Sequence, residues 1–434
     1  MRSALQTVAL AGAVIAAVAG GPARAADVDW PHFRFDDNHT GFQPFETLLD
    51  AGTVRGAKLS WKANLGTGSR SLVDFSSPAV AGGVVYIGTA DGRLWAYPAD
   101  GCGVDICNTP LWTTDSLGQI VDSPAVANGV VYVGSQTDDG DNSGKLDAFA
   151  ADGCGEAVCQ PLWQGDAGAQ SVLQSSPTVW KGLVFVGAFD GKLYAFDADG
   201  CGAALCEPVW SAQTGGSIES TPTVSKGALF VASDDGKLYV FKAKGCGKKS
   251  CAPLWTADLG GTPFESTPAV SKGLVYVASQ HTLSVFPAEG CGAKTCSPVW
   301  QAIEPTDFFG GSPAVADGRV FLPLESTLAV YSAKGCGEAV CEKLRTLVGS
   351  GFQDGIVSAP TVANGVVYAS RNSGEVIAWS TKGCGQATCA ELWKGATEDP
   401  LLSSSPTVVN GKIYVGGSQG GGGSQTAFLY VFEP

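Results

Sequence analysis

The strongest constraint in this sequence is a cysteine turn written seven times. Residues 101–107, GCGVDIC, return as GCGEAVC, GCGAALC, GCGKKSC, GCGAKTC, GCGEAVC and GCGQATC. All 14 cysteines of the chain fall in these turns: Cys102 with Cys107, Cys154 with Cys159, Cys201 with Cys206, Cys246 with Cys251, Cys291 with Cys296, Cys336 with Cys341, and Cys384 with Cys389. An even set with one pair per repeat reads as disulfides made in an oxidising compartment. Metal thiolates are the rival, but two cysteines are half of a tetrahedral zinc site, and 3 histidines cannot complete seven such sites. So small a ring contributes at most about 2 kcal/mol by loop entropy, so each bridge is expected to act as a local staple.

The repeat around the turn is longer. A small residue followed by proline and a short apolar strand occurs at Pro78, Pro124, Pro177, Pro222, Pro268, Pro313, Pro360 and Pro406, at intervals of 45 to 53 residues. One copy reads SSPTV, WKG, LVFVGA, FDGK, LYAFDA, then the cysteine turn, then PVW. These are four short strands, A to D, rich in Val, Leu, Tyr and Phe and separated by Gly, Asp and Asn turns. Repeats of this length with four strands each predict propeller blades. There are eight proline steps and seven turns, because the chain ends at FLYVFEP, a strand C with no strand D after it. The segment KLSWKANLG at 58–66 precedes the first step and matches the other D strands through Trp61. The expected fold is therefore all-β: an eight-bladed β-propeller of four-stranded blades, closed by an N-terminal strand. Trp112, Trp163, Trp210, Trp255, Trp300 and Trp393 recur at the Trp61 position, as packing between blades would require, and blade six departs with Arg345.

Residues 1–25 carry Arg2, an apolar run from Val8 to Ala19 and Ala23-Arg24-Ala25, the layout of a secretory signal peptide. Residues 26–57 then form a leader and 58–434 the propeller. No later stretch is apolar enough to span a membrane. The formal charge of -14 argues against nucleic acid or an anionic membrane surface as partner and favours cations, basic partners or simple solubility. A secreted or periplasmic monomer is expected.

SSPAVAGGVVYIGTADGRLWAY followed by a Trp strand resembles the pyrroloquinoline quinone (PQQ)-type repeat, and DWPHFRFDDNHTG at 29–41 is similar to the segment that precedes blade one in such proteins. The resemblance spans 58–434 and implies the propeller fold. It extends to quinoprotein dehydrogenases and to non-enzymatic propellers of outer-membrane assembly, so it leaves activity open. The dehydrogenases set an adjacent Cys-Cys disulfide over the cofactor, and haem-bearing members need C-x-x-C-H. This chain has neither string. PQQ is not expected, and no catalytic residue is assigned.

Two groups of residues could carry binding. In blade two the B-to-C turn lengthens to QTDDGDNSGKLD, in which Asp139, Asp141, Ser143, the Lys145 carbonyl and Asp147 have the spacing of a calcium loop. Asp147 stands where other blades place Trp95, Tyr194 or Tyr239, an odd position for an acid without a partner. A solvated acidic turn is the alternative. The residues three before each strand-A proline include Gln174, Glu219 and Glu265 in neighbouring blades, which radial symmetry would gather at one mouth of the channel. They could bind a cation or a sugar, perform acid/base work, or stand as solvated loop acids. His281 and Arg371 are expected on the same rim. The function expected is a secreted, disulfide-stapled scaffold that binds a ligand or protein on the D-to-A and B-to-C loops. A PQQ-dependent oxidoreductase is the alternative.

Overall fold

Each repeat alternates short apolar runs with glycine turns, and a strand so short is stable only when both of its backbone edges are paired. In the computed structural model the chain meets that demand with eight sheets of four antiparallel strands arranged as the blades of a propeller, six of them extended by a short parallel fifth strand. The structure describes residues 28–434 apart from 69–72, 74–75, 137–142, 169–170, 172, 174, 264, 308, 350–354, 357, 398–403 and 420–424. The signal segment expected at 1–25, Asp139, Asp141, Gln174 and the glycine tract at 420–423 lie outside the described residues.

Blade one shows the pattern, with A at Ala79–Ala81, B at Val84–Gly88, C at Leu94–Pro98 and D at Trp112–Thr114. Blade eight takes A, B and C from Thr407–Val409, Lys412–Gln419 and Gln425–Glu433, and its strand D is Lys58–Gly68. This ribbon runs antiparallel to strand C from Lys58 opposite Glu433 to Gly68 opposite Gln425, so the two ends of the propeller share one sheet. Buried valine, leucine, phenylalanine and tyrosine side chains from facing sheets fill the space between blades.

All seven disulfides form within their own turns. The bridges are nevertheless more than local staples, because each turn docks on the outer strand of the preceding blade. The D-strand N–H of Lys62, Thr113, Gln164, Ser211, Thr256, Gln301 and Thr346 donates to Asp105, Ala157, Ala204, Lys249, Lys294, Ala339 and Ala387 respectively, at 2.8–3.0 Å. The first glycine of each turn also lies flat on the preceding tryptophan: Gly101 on Trp61, Gly153 on Trp112, Gly200 on Trp163, Gly245 on Trp210, Gly290 on Trp255 and Gly335 on Trp300. In blade seven the same glycine, Gly383, meets the Arg345 guanidinium, which reaches Lys382 O at 2.8 Å. The tryptophan and the cysteine turn recur together because they are two halves of one contact between blades.

The inner edges are sealed by the leader. Trp30 exchanges backbone hydrogen bonds with Val80, and the carbonyls of Pro31, Asp37, Asn38, Thr40 and Gly41 accept from Val126, Val224, Val270, Val315 and Val362, the central residues of five more A strands. His39 reaches the Thr178 hydroxyl of blade three, and Asn410 of blade eight pairs with both backbone groups of Val28. The leader thus circles inside the ring and touches every blade. Arg34 is buried within it, its guanidinium donating to the carbonyls of His39, Ser312 and Pro313. Burial lowers its pKa to about 9 against the opposing pull of Asp36, and burial holds His39 at about 3 and His32 at about 4, both neutral.

The glycine that meets tryptophan offers a test. Gly290 and Gly292 both have positive φ, so alanine at either costs about 1–2 kcal/mol in backbone strain. A Cβ on Gly290 would sit 2.8 Å from Trp255 Nε1, whereas one on Gly292 meets nothing. Denaturant unfolding of Gly290→Ala should show the larger loss of stability. Equal losses would mean that the glycine–indole contact carries no weight.

Candidate functional site at the open mouth

Strand order puts the A-to-B and C-to-D turns at one end of the propeller and the B-to-C and D-to-A connections at the other. The leader and the cysteine turns belong to the first end, as the contacts of Asp29 with Gly82 and of Glu46 with Gly411 show. The second mouth is bounded by a belt of small polar residues. Ser77, Ser123, Ser176, Thr267, Ser312 and Ser405, each just before a strand-A proline, have hydroxyls that accept from the N–H at the same position of a neighbouring blade. One residue earlier, Ser76, Ser175, Ser220, Ser266, Ser358 and Ser404 accept from a strand-B N–H of their own blade.

Above this belt Glu219 and Glu265 are close enough for each to act on the other, and the structure adds Asp234 from the B-to-C turn of blade four. Glu219 is half-buried and donates a carboxyl proton to Asp234, whose backbone N–H is held by Ser217 O at 2.9 Å. Burial first, and the charges of Asp234 and Glu265 next, push Glu219 up to about 7. Glu265 is exposed on a turn with φ of 56°, a left-handed conformation. The charges of the two neighbouring acids oppose ionisation of Glu219, and a cation arriving beside it would favour ionisation.

His281 and Arg371 do not join the three acids as free groups. His281 Nδ1–H donates to Glu304 O at 3.1 Å and Asp307 O at 3.0 Å, which pins the connection leading to blade six. Arg371 is buried within its wall, paired with Glu375 at 3.3 Å and donating to Gly349 O.

In blade two, Ser143 and Lys145 flank the loop, and the buried Asp147 accepts from the Ser135 hydroxyl and the Gln164 amide. These two donors are the partners that its position demanded. A second buried acid, Asp122, occupies the serine column before the strand-A proline and takes the Gly134 N–H at 2.6 Å. Its Oδ1 is buried and meets no hydrogen-bond partner among the described residues. Burial raises both acids, Asp122 well above the usual carboxylate range. Asp122 was legible as the one acid in a column of serines. Among the described residues, no three His, Cys, Asp or Glu side chains converge to hold a metal ion.

At the leader end, a cleft of about 540 Å³ opens between blades one and two, lined by Asp29, Tyr86, Asn128 and Asp152 among others. Tyr86 donates to Ala151 O, and burial with the nearby Asp152 and Asp29 pushes its phenol to about 12. The sequence carried no signal for it, because leader, A-to-B turn and cysteine turn meet only in the folded ring.

The Glu219 shift sets a pH signature. Its carboxyl binds a proton more tightly folded than unfolded, so between about 4.5 and 7 the folded chain holds more protons and stability falls as pH rises. Thermal melts of Glu219→Gln at pH 5 and pH 8 should show a smaller drop than the unmodified protein. An unchanged difference would remove Glu219 from the coupled group.

The model of the PQQ-type repeat family described as outer membrane protein assembly factor BamB matches residues 49–200, 159–249 and 207–383. No curated protein sequence matches the chain. Among solved structures, the quinohemoprotein alcohol dehydrogenase of Comamonas testosteroni superimposes with a TM-score of 0.66 at 14% identity, over 92% of this chain and 80% of that one. The quinohemoprotein alcohol dehydrogenase ADHIIG of Pseudomonas putida HK5 gives 0.64 at 14% identity, over 93% and 80%. The computationally designed protein Ika8 gives 0.59 at 16% identity, over 86% and 99%. At these identities the likeness is one of fold. With the family matched across most of its length and the ring of eight sheets that such repeats build, the chain belongs to the PQQ-repeat, BamB-type propeller family.

Proposed function

We propose that this protein is an exported binding scaffold that uses the B-to-C and D-to-A mouth of the propeller to hold a cationic group of a small ligand or a basic protein segment. Seven disulfides point to an oxidising, extracytoplasmic setting, and no helix among the described residues is long and apolar enough to cross a membrane. The observation that carries the reading is the asymmetry of the ring. The leader and cysteine turns occupy one end, while the other presents Glu219, Asp234 and Glu265 above the hydroxyl belt.

The dehydrogenase alternative draws on likeness of fold alone. PQQ carries three carboxylates and calls for cationic partners, whereas the acids at this mouth repel it and Arg371 is engaged with Glu375. The adjacent cysteine pair of that family is absent from the sequence. The residues present do not fit the group, and no redox step is derived.

Calorimetric titration with a short lysine-rich peptide tests the reading. Affinity should rise at least fivefold from pH 5.5 to pH 8, as Glu219 loses its proton, and fall at least tenfold in the Glu219→Gln/Glu265→Gln double variant. Equal affinity for the variant would place the binding surface elsewhere.

A further inference from the structure

Seven D strands have their outer edge paired by the cysteine turn of the following blade, but blade eight has no such turn, so the D strand of blade seven, Trp393–Ala396, lacks that partner. The leader fills only the apolar half of the vacancy. Leu49, Val54 and Ala57 are buried against Trp393, and Ala57 O accepts the indole N–H at 2.9 Å. Arg55 reaches Leu392 O. None of these groups pairs with the strand itself. No described residue accepts from the N–H of Lys394, the residue equivalent to Lys62, Thr113 and Thr256. The Lys394 side chain is exposed where all seven counterparts are buried or half-buried.

We propose that this edge is a strand-docking site, separate from the acidic mouth, for an extended acidic segment of a partner protein. The seven filled edges show how such a segment sits. It runs parallel to strand D and offers a carbonyl to the central N–H, with the next residue facing outward, as Asp105 and Ile106 do on Lys62. Because Leu49, Val54 and Ala57 already fill the apolar socket, the partner supplies a strand and needs no cystine. Charge favours an acidic segment. Arg55 and Lys394 border the edge of a chain whose formal charge is -14, and the carboxylate that Lys394 meets among the described residues, Glu375, is shared with Arg371. Main-chain pairing would give affinity and these cations would give sign, the usual division of labour in strand addition.

Hydrogen–deuterium exchange on the full chain tests the proposal, with an eight-residue probe of residues 101–108 carrying Cys102→Ala and Cys107→Ala. Without probe, the Lys394 amide should exchange at least 100-fold faster than that of Thr256. Millimolar probe should slow Lys394 at least tenfold and leave Thr256 unchanged. Lys394→Pro removes the outward-facing donor and, with it, the ion pair to Glu375, whereas Lys394→Met removes the ion pair alone; the two variants should unfold alike, and the proline should weaken probe binding at least tenfold relative to the unmodified chain. Lys394→Glu keeps the donor and should weaken binding at least threefold by reversing the charge. Thr256→Pro, whose N–H is used, should lower the unfolding midpoint. Slow exchange at Lys394 without probe, no protection at saturating probe, or protection that persists in Lys394→Pro would each overturn the proposal.

Discussion

Every blade of this molecule faces the same problem, two unpaired backbone edges on a sheet too small to stand alone. Inside the ring, the leader passes from blade to blade and spends its carbonyls on the central valines of the A strands. Outside, the cysteine turns of blades one to seven each pair with the blade before, five as a short fifth strand and two through an isolated bridge. The disulfides serve this arrangement by holding the turn in the one shape that presents both a backbone carbonyl and a bare glycine to the neighbouring strand and its tryptophan. Stability is thereby distributed between blades as well as within them, and about 400 residues behave as one ring.

Departures from the repeat obey the same accounting of backbone donors. Blade six has Gly311 where its neighbours have a serine that accepts a strand-B N–H, and at the facing position it has Pro323, which has no N–H to give. The two changes cancel. Blade seven's turn meets Arg345 in place of tryptophan, and the guanidinium both covers Gly383 and binds Lys382 O. Blade two is different. Asp122 replaces the accepting serine, keeps that hydrogen bond and adds a second carboxylate oxygen that meets no hydrogen-bond partner among the described residues. Burying an acid costs stability, so this exchange of serine for aspartate in blade two works against structural economy.

The same sealing divides the surface by function. One end is committed to structure, since the leader lies across the channel and the cysteine turns interlock around it. The other is relieved of that duty, and its loops differ from blade to blade. Glu219 and Asp234 meet there as a hydrogen-bonded pair of acids, with the charge of Glu265 acting on Glu219. That arrangement is unfavourable for folding at neutral pH, which makes it informative about binding.

Much of this was legible in one dimension. Eight proline steps against seven cysteine turns gave the number of blades, and the Trp61 ribbon identified the strand that completes the last sheet, because strand period and turn chemistry are local properties. The column three residues before each proline likewise brought Glu219 and Glu265 to one mouth. Asp234 was missed because it lies on a different loop of the same blade, and only the fold brings the two loops together. The calcium-like spacing around Asp147 was visible, but that carboxylate's donors, Ser135 and Gln164, come from neighbouring strands. The leader's path round the channel, the buried Arg34 and the edge at Lys394 that no described residue pairs were likewise decided by tertiary structure, since each depends on which backbone groups remain unpaired after the ring has closed. Sequence fixes what a segment can offer; closure determines which offers are taken up.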